Sequence, residues 1–230
     1  KNKILNIIEI VLIVILVTNL YKIYSYNKAD YEFKTATKEV QEKFEKVEAA
    51  KSNSKIEKKK EKDREAIEKI EEVKKSYPSI IAWIKVDGTE IDYPIVKGSD
   101  NKFYLNHNYK DEYNVFGAIF MDYRNQENFS DQNTIIYGHN NNRGGNFREL
   151  HKFEEDGFFE KNKFIEIFSE AGYKKYQIFA AYNAGPRDKF RSPRYSKEDG
   201  EELISYIKER NILKTEVPSE FKDILTLQTC

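Results

Sequence analysis

Cysteine is nearly absent from this sequence: Cys230 stands alone among 230 residues. A single thiol cannot close an intramolecular disulfide, so the fold must hold without one. Charge imbalance is absent as well, since 39 Lys and Arg offset 39 Asp and Glu. That balance excludes the basic footprint of a nucleic-acid binder. The three histidines are far from the cysteine and from one another. None of the short paired spacings of a structural zinc site occurs, so no metal and no other cofactor is expected. Aromatic residues are plentiful, mainly Tyr and Phe with one Trp. Most lie after Tyr77, where about 150 residues remain, enough for one domain with its own core.

The beginning is of another character. "KNKILNIIEIVLIVILVTNLYKIYSY" is almost entirely Ile, Leu and Val between positions 4 and 20. As a helix, residues 4–21 span roughly 27 Å, close to the ~30 Å of a bilayer core. Glu9 costs about 2.5–3.5 kcal/mol if it lies centrally, less near an interface. Tyr21, Tyr24 and Tyr26, with Lys22, resemble an interfacial belt. A cleaved signal peptide is the competing reading, but no small-residue cleavage pattern follows. Residues 1–26 are therefore expected to be an uncleaved signal anchor, single-pass, with the rest of the chain outside the cell.

Residues 27–76 are built from Lys and Glu, as in "KKKEKDREAIEKIEEVKK", with good helix formers throughout. Apolar residues recur at Val40, Phe44 and Val47, and again at Ile67, Ile70 and Val73, both at helical spacing. Two helical pieces with a weak joint near residues 52–54 are expected. The stripe is too short for the heptads of a dimerising coiled coil, which favours a charged, solvated helical linker holding the domain off the membrane.

From residue 77 to 230 the pattern is of strands. Runs at 82–86 and 90–96 flank Asp87-Gly88, a strong hairpin signal. Further strands are expected at 117–123, 133–139, 163–168 and 173–185, and in the closing "FKDILTLQTC". Short helices are expected at 146–153 and 154–162, and at 197–210, which Ser196 can cap. Seven strands with peripheral helices imply a mainly β fold, an antiparallel closed or nearly closed barrel.

Cys230 could be a small buried hydrophobe, one half of an intermolecular bridge or a reactive thiol. Its place after the apolar run "ILTL" sets it at a strand end. His139 ends the run "TIIYGH" and also sits at a strand end, after Gly138, where the backbone leaves room for a substrate. A nucleophilic thiol needs a base or a positive neighbour, and Cys230 with His139 could form such a dyad. His151, in "FRELHKF", suits a surface role, and His107 lies in the loop "YLNHNY".

"NTIIYGHN" and "TLQTC" together resemble the paired signatures of the sortases, membrane-anchored cysteine transpeptidases of Gram-positive bacteria. "YPSIIAWIKVDGTEIDYPIV", "DNKFYL", "GAIFMDYRN" and "KFEEDGFFEKN" resemble blocks of class B sortases in the same order, over residues 77–230. The resemblance implies an eight-stranded β-barrel, so a last strand would be missing here. It implies Cys230 as nucleophile and His139 as its partner, with Asn101 an active-site Asn and Leu105 a residue of the substrate groove. It also implies a catalytic Arg on the strand after the Cys. No residue of this chain can be assigned that part, and Arg191 and Arg194 belong to the different stretch "KFRSPRYS". A chain truncated at both ends, nearly inert without that Arg, is the expectation.

The resemblance further implies partners: secreted proteins with a C-terminal sorting motif, and an amine of the peptidoglycan cross-bridge. A thioacyl-enzyme would form on Cys230 and be resolved by that amine. Two other functions stay open on the residues alone. One is a cysteine peptidase that hydrolyses the acyl-enzyme; the other is a non-catalytic, membrane-anchored binding barrel.

Overall fold

The computed structural model of the chain describes residues 2–46, 55–141, 145–185 and 188–229. Cys230 and the expected joint at 52–54 lie outside the described residues. Seven strands form one sheet: β1 (Ile80–Val86), β2 (Asp92–Lys97), β3 (Ile119–Met121), β4 (Asn133–Gly138), β5 (Phe164–Ser169), β6 (Gly172–Gln177) and β7 (Ile224–Thr229). Their order is β6-β5-β1-β2-β3-β4-β7. The sheet curls into a half-barrel, mainly β with short helices around it.

The sheet is mixed rather than antiparallel throughout. β2 pairs with β3, and β4 with β7, in parallel. Parallel neighbours need a long crossover, and local alternation carries no sign of it. Here residues 98–118 cross from β2 to β3, and the whole stretch from 139 to 223 crosses from β4 to β7.

The hairpin between β1 and β2 forms, with Lys85 opposite Asp92 and Gly88 at φ +71°. β5 alternates buried and half-buried side chains along its whole length, as a one-sided strand should. β6 is much shorter than the expected 173–185. Ile178 still donates to Lys163 O, but then the chain peels away. Ala181 N donates to Asn211 Oδ1, and Ile212 N donates to Ala181 O. The loop after the last helix has taken the backbone partners that a neighbouring strand would supply. Residues of β6 and β7, with Ile212 of that loop, line a groove of about 630 Å³.

The helices are α1 (Asn2–Glu45), α2 (Lys55–Lys74), α3 (Phe158–Lys161) and α4 (Lys197–Arg210). α4 has the expected bounds, and Ser196 Oγ accepts from Asp199 N at its start. A 3-10 helix, Arg148–Glu154, stands where a helix was expected at 146–153. α1 changes role along its length. From Leu5 to Leu20 its apolar side chains are covered by nothing in the protein, and the helix is long and apolar enough to cross a membrane.

The second half of α1 overturns the expected solvated linker. Phe33, Ala36, Thr37, Val40 and Phe44 are buried, a stripe at i, i+3, i+4, i+7 and i+11. α2 adds Ala66, Ile70 and Val73. Phe44 stacks on Trp83 of β1 at 4.2 Å between ring centroids and meets Phe168 edge-on at 5.4 Å. The stripe packs on the sheet and on α2 instead of facing water. Residues of both helices belong to the same core as Ile80, Trp83, Ile95, Ile119 and Ile167.

Candidate active site

β4 ends at Gly138, and His139 follows. The space over Gly138 is not open. A Cβ there would lie 2.7 Å from the ring of Phe147, which packs directly on the backbone. Phe147 N also donates to His139 O at 3.1 Å. Glycine at 138 thus permits a close ring-on-backbone contact.

The His139 ring is held from the other side. Its Nε2 lies 2.6 Å from Leu105 O; a carbonyl only accepts, so Nε2 carries the proton. Leu105 closes the 3-10 turn Phe103–Leu105. Gly117 backs this contact, since a Cβ at its φ of +57° would meet Tyr104 O at 2.4 Å, Leu105 O at 2.8 Å and His139 Cδ2 at 3.0 Å. Only glycine fits there.

Asn101, Leu105, Phe120, Tyr137, Gly138, His139 and Gln228 line one cavity of about 240 Å³. Three of the four candidate residues from the sequence therefore converge on one place. The fourth, Cys230, lies outside the described residues. β7 carries the chain to its door, because Gly138 pairs with Thr229 in the parallel register of β4 and β7.

Beneath the cavity is a charged hub that sequence reasoning missed. Asp122 follows β3 directly and is fully buried. Its Oδ2 accepts from Asn101 Nδ2 (2.9 Å), Tyr137 OH (2.9 Å) and Arg124 Nη2 (2.8 Å). Its Oδ1 accepts from Arg124 Nε (2.8 Å) and Arg124 N (3.0 Å). Burial works against the charge, but the Arg124 fork and the other donors outweigh it and hold the carboxyl at about 2. Burial, followed by the bond to Asp122, pushes the Tyr137 phenol well above its ordinary range, so it stays a donor. Asn101 is fixed at both ends, since its Oδ1 accepts from Tyr123 N at 3.0 Å. An acid directly after an apolar strand, in "IFMDYRN", is the signal that could have revealed the hub.

Arg191 also reaches the site's edge. Its Nε donates to Gln228 Oε1 at 3.0 Å, and its guanidinium lies 4.4 Å from the centre of the Phe190 ring. Arg124 Nη2 donates to Arg191 O at 2.8 Å, which ties this loop to the hub. Arg194 makes a local turn with Ser192. The other histidines stand apart from the cavity. His107 stacks on Phe103 at 3.9 Å, while His151 bridges Asn140 at 3.1 Å and Glu154 at 3.0 Å. Among the described residues, no group of three or more His, Cys, Asp or Glu could hold a metal ion.

Comparison with known proteins fits this fold and cavity. Residues 84–230 match the sortase domain, and the chain belongs to the sortase family of transpeptidases. Class B is its place within that family. It is 31% identical to sortase B of Staphylococcus aureus over 228 residues, covering 98% of this chain and 89% of that protein. With sortase B of Listeria monocytogenes it shares 34% over 163 residues, 70% of this chain and 66% of the relative. A solved complex of Staphylococcus aureus sortase B with substrate superposes with a TM-score of 0.74 at 28% identity, covering 87% of this chain and 89% of that one.

Proposed function

We propose that Cys230 and His139 are the catalytic pair of a membrane-anchored transpeptidase, with Asn101 and Leu105 shaping its substrate groove. The observation that carries this is the rung between Gly138 and Thr229. His139 and Cys230 each follow one member of that rung, so the chain has one residue, ~3.8 Å between Cα atoms, in which to bring them together. Gln228, two residues before Cys230 in the sequence, lines the cavity together with His139.

The chemistry proceeds in two exchanges. The thiolate of Cys230 attacks a backbone carbonyl of the sorting motif near a client's C-terminus. The C–N bond breaks, and the leaving amine takes a proton from His139. With Nε2 committed to Leu105, Nδ1 is the nitrogen that serves this transfer. An amine of the cell-wall cross-bridge then attacks the thioester, gives its proton to the imidazole and expels the thiolate of Cys230, which restores the starting thiolate–imidazolium pair. The clients are secreted proteins, and the anchor is the first half of α1, with the body outside the cell. Residues 77–230 form the catalytic domain, and the described parts of residues 27–76 pack into the same body.

The test uses the full-length protein with a sorting-motif peptide and an amine acceptor. Ligated product and a thioester adduct on Cys230 by mass spectrometry are expected. Cys230→Ala should abolish both, and His139→Ala should slow ligation by about 10²–10⁴-fold. Hydrolysed peptide at an unchanged rate with acceptor in excess would make the protein a peptidase instead. Full activity in Cys230→Ala would remove the thiol from the mechanism altogether.

A further inference from the structure

α1 continues from its membrane-compatible half into the packed body without a break, so position along the helix measures height above the bilayer. Residues 5–23 cover about 28 Å, the hydrocarbon thickness. Tyr26 then lies about 4–5 Å beyond the hydrocarbon edge and Ala29 about 9 Å, the depth of the headgroups and just above them.

The body already touches the helix at these two positions. The Phe116 ring meets Tyr26 edge-on at 5.0 Å, and Asn114 Nδ2 donates to Ala29 O at 2.9 Å. Val115, between these two contacts, is an apolar residue left 42% exposed. Tyr113 on the same loop is 66% exposed, and Tyr24 on the helix 65%. Exposed aromatic and aliphatic side chains at that depth suit an interface more than bulk water.

We propose that the loop carrying Tyr113 and Val115 rests in the headgroup layer, so that the body sits on the bilayer instead of standing off it. The bilayer is the occupant favoured here because the residues on either side of Val115, Asn114 and Phe116, touch α1 at Ala29 and Tyr26, just beyond its exposed apolar stretch. The inference rests on the reading of α1 as a membrane span.

The orientation follows from the same contacts. Gly117, next to Phe116, packs against His139, and Asn146 Nδ2 donates to Phe116 O at 2.6 Å. The cavity is therefore at the membrane end of the body. The opposite end, where Phe44 stacks on Trp83, is about 27 Å further along the helix from Tyr26. The site faces substrates presented at the membrane surface and reaches them along it.

Tryptophan quenching by lipids brominated near the headgroup tests this with the full chain in phosphatidylcholine vesicles. The one native tryptophan, Trp83, is fully buried and gives a constant background. Tyr24→Trp reports the anchor, Val115→Trp the loop, and Glu42→Trp a point on α1 about 28 Å above the hydrocarbon edge. Quenching of Val115→Trp to an extent similar to Tyr24→Trp, with Glu42→Trp unaffected, is expected. If Tyr24→Trp is quenched but Val115→Trp behaves like Glu42→Trp, the loop stands clear of the bilayer and the inference is overturned while the anchor stands. If Tyr24→Trp is not quenched, the anchor fails and the inference falls with it. Val115 is solvent-facing, so its replacement leaves the core packing intact.

Discussion

Replacing Asp122 with Asn keeps the shape of the hub and removes its charge. In the wild type that charge accepts five hydrogen bonds, three of them from Arg124. Asn offers one acceptor oxygen and turns an NH2 group toward donors. Breaking a buried ion pair typically costs about 3–5 kcal/mol. The Arg124 side chain is 39% exposed and can return partly to water, so about 2–4 kcal/mol at neutral pH is the expected loss.

The pH dependence sharpens the test. The carboxyl sits at about 2 in the fold against an ordinary 3.8. A lowered value means that its stabilisation is complete above about pH 5 and disappears as pH falls toward 2. The difference corresponds to about 2 kcal/mol. Urea titrations of wild type and Asp122→Asn at pH 7, 5 and 3 measure both quantities, and subtraction cancels the other carboxylates. The wild-type advantage should shrink steadily between pH 5 and 3. An advantage that is absent at pH 7, or constant with pH, would refute the assignment of Asp122 as a charged hub.

Phe44→Ala should destabilise the body by about 3–5 kcal/mol, read by thermal or urea unfolding, because it empties the stack on Trp83. A solvated linker would show almost no change. Gly138→Ala drives a methyl group into the Phe147 ring and should cost about 1–3 kcal/mol. Adding Phe147→Leu should restore part of the stability, and ligation assays should show His139 function returning with it.

Much of this was written locally. The alternation in "KFIEIF" marked β5, and Ser196 before "KEDGEELISYIKER" marked α4. Both depend on neighbours a few residues away, and local periodicity reports such neighbours well. The helical stripe of Val40 and Phe44 was equally legible, but its partner was not. A sequence shows that a face is apolar, not that a sheet distant in the chain covers it. The shortening of β6 belongs to the same class, since "QIFAAY" is apolar enough for a strand but its backbone is taken by Asn211, Ile212 and Thr215. At the site, His139 could be singled out by its strand end, and Asn101 and Leu105 by family resemblance. Asp122 left only a faint local mark, an acid directly after the apolar run of "IFMDYRN", because what distinguishes it is complete burial among donors from three separate stretches.

The pairing of β4 with β7 joins partners far apart in sequence; Thr226 hydroxyl to Asn133 carboxamide spans 93 positions. Contacts of that range form late, after loop entropy has been overcome. On the function proposed above, His139 and Cys230 follow the two members of a rung that exists only once this long-range parallel pairing has closed, so activity would report on completion of the fold.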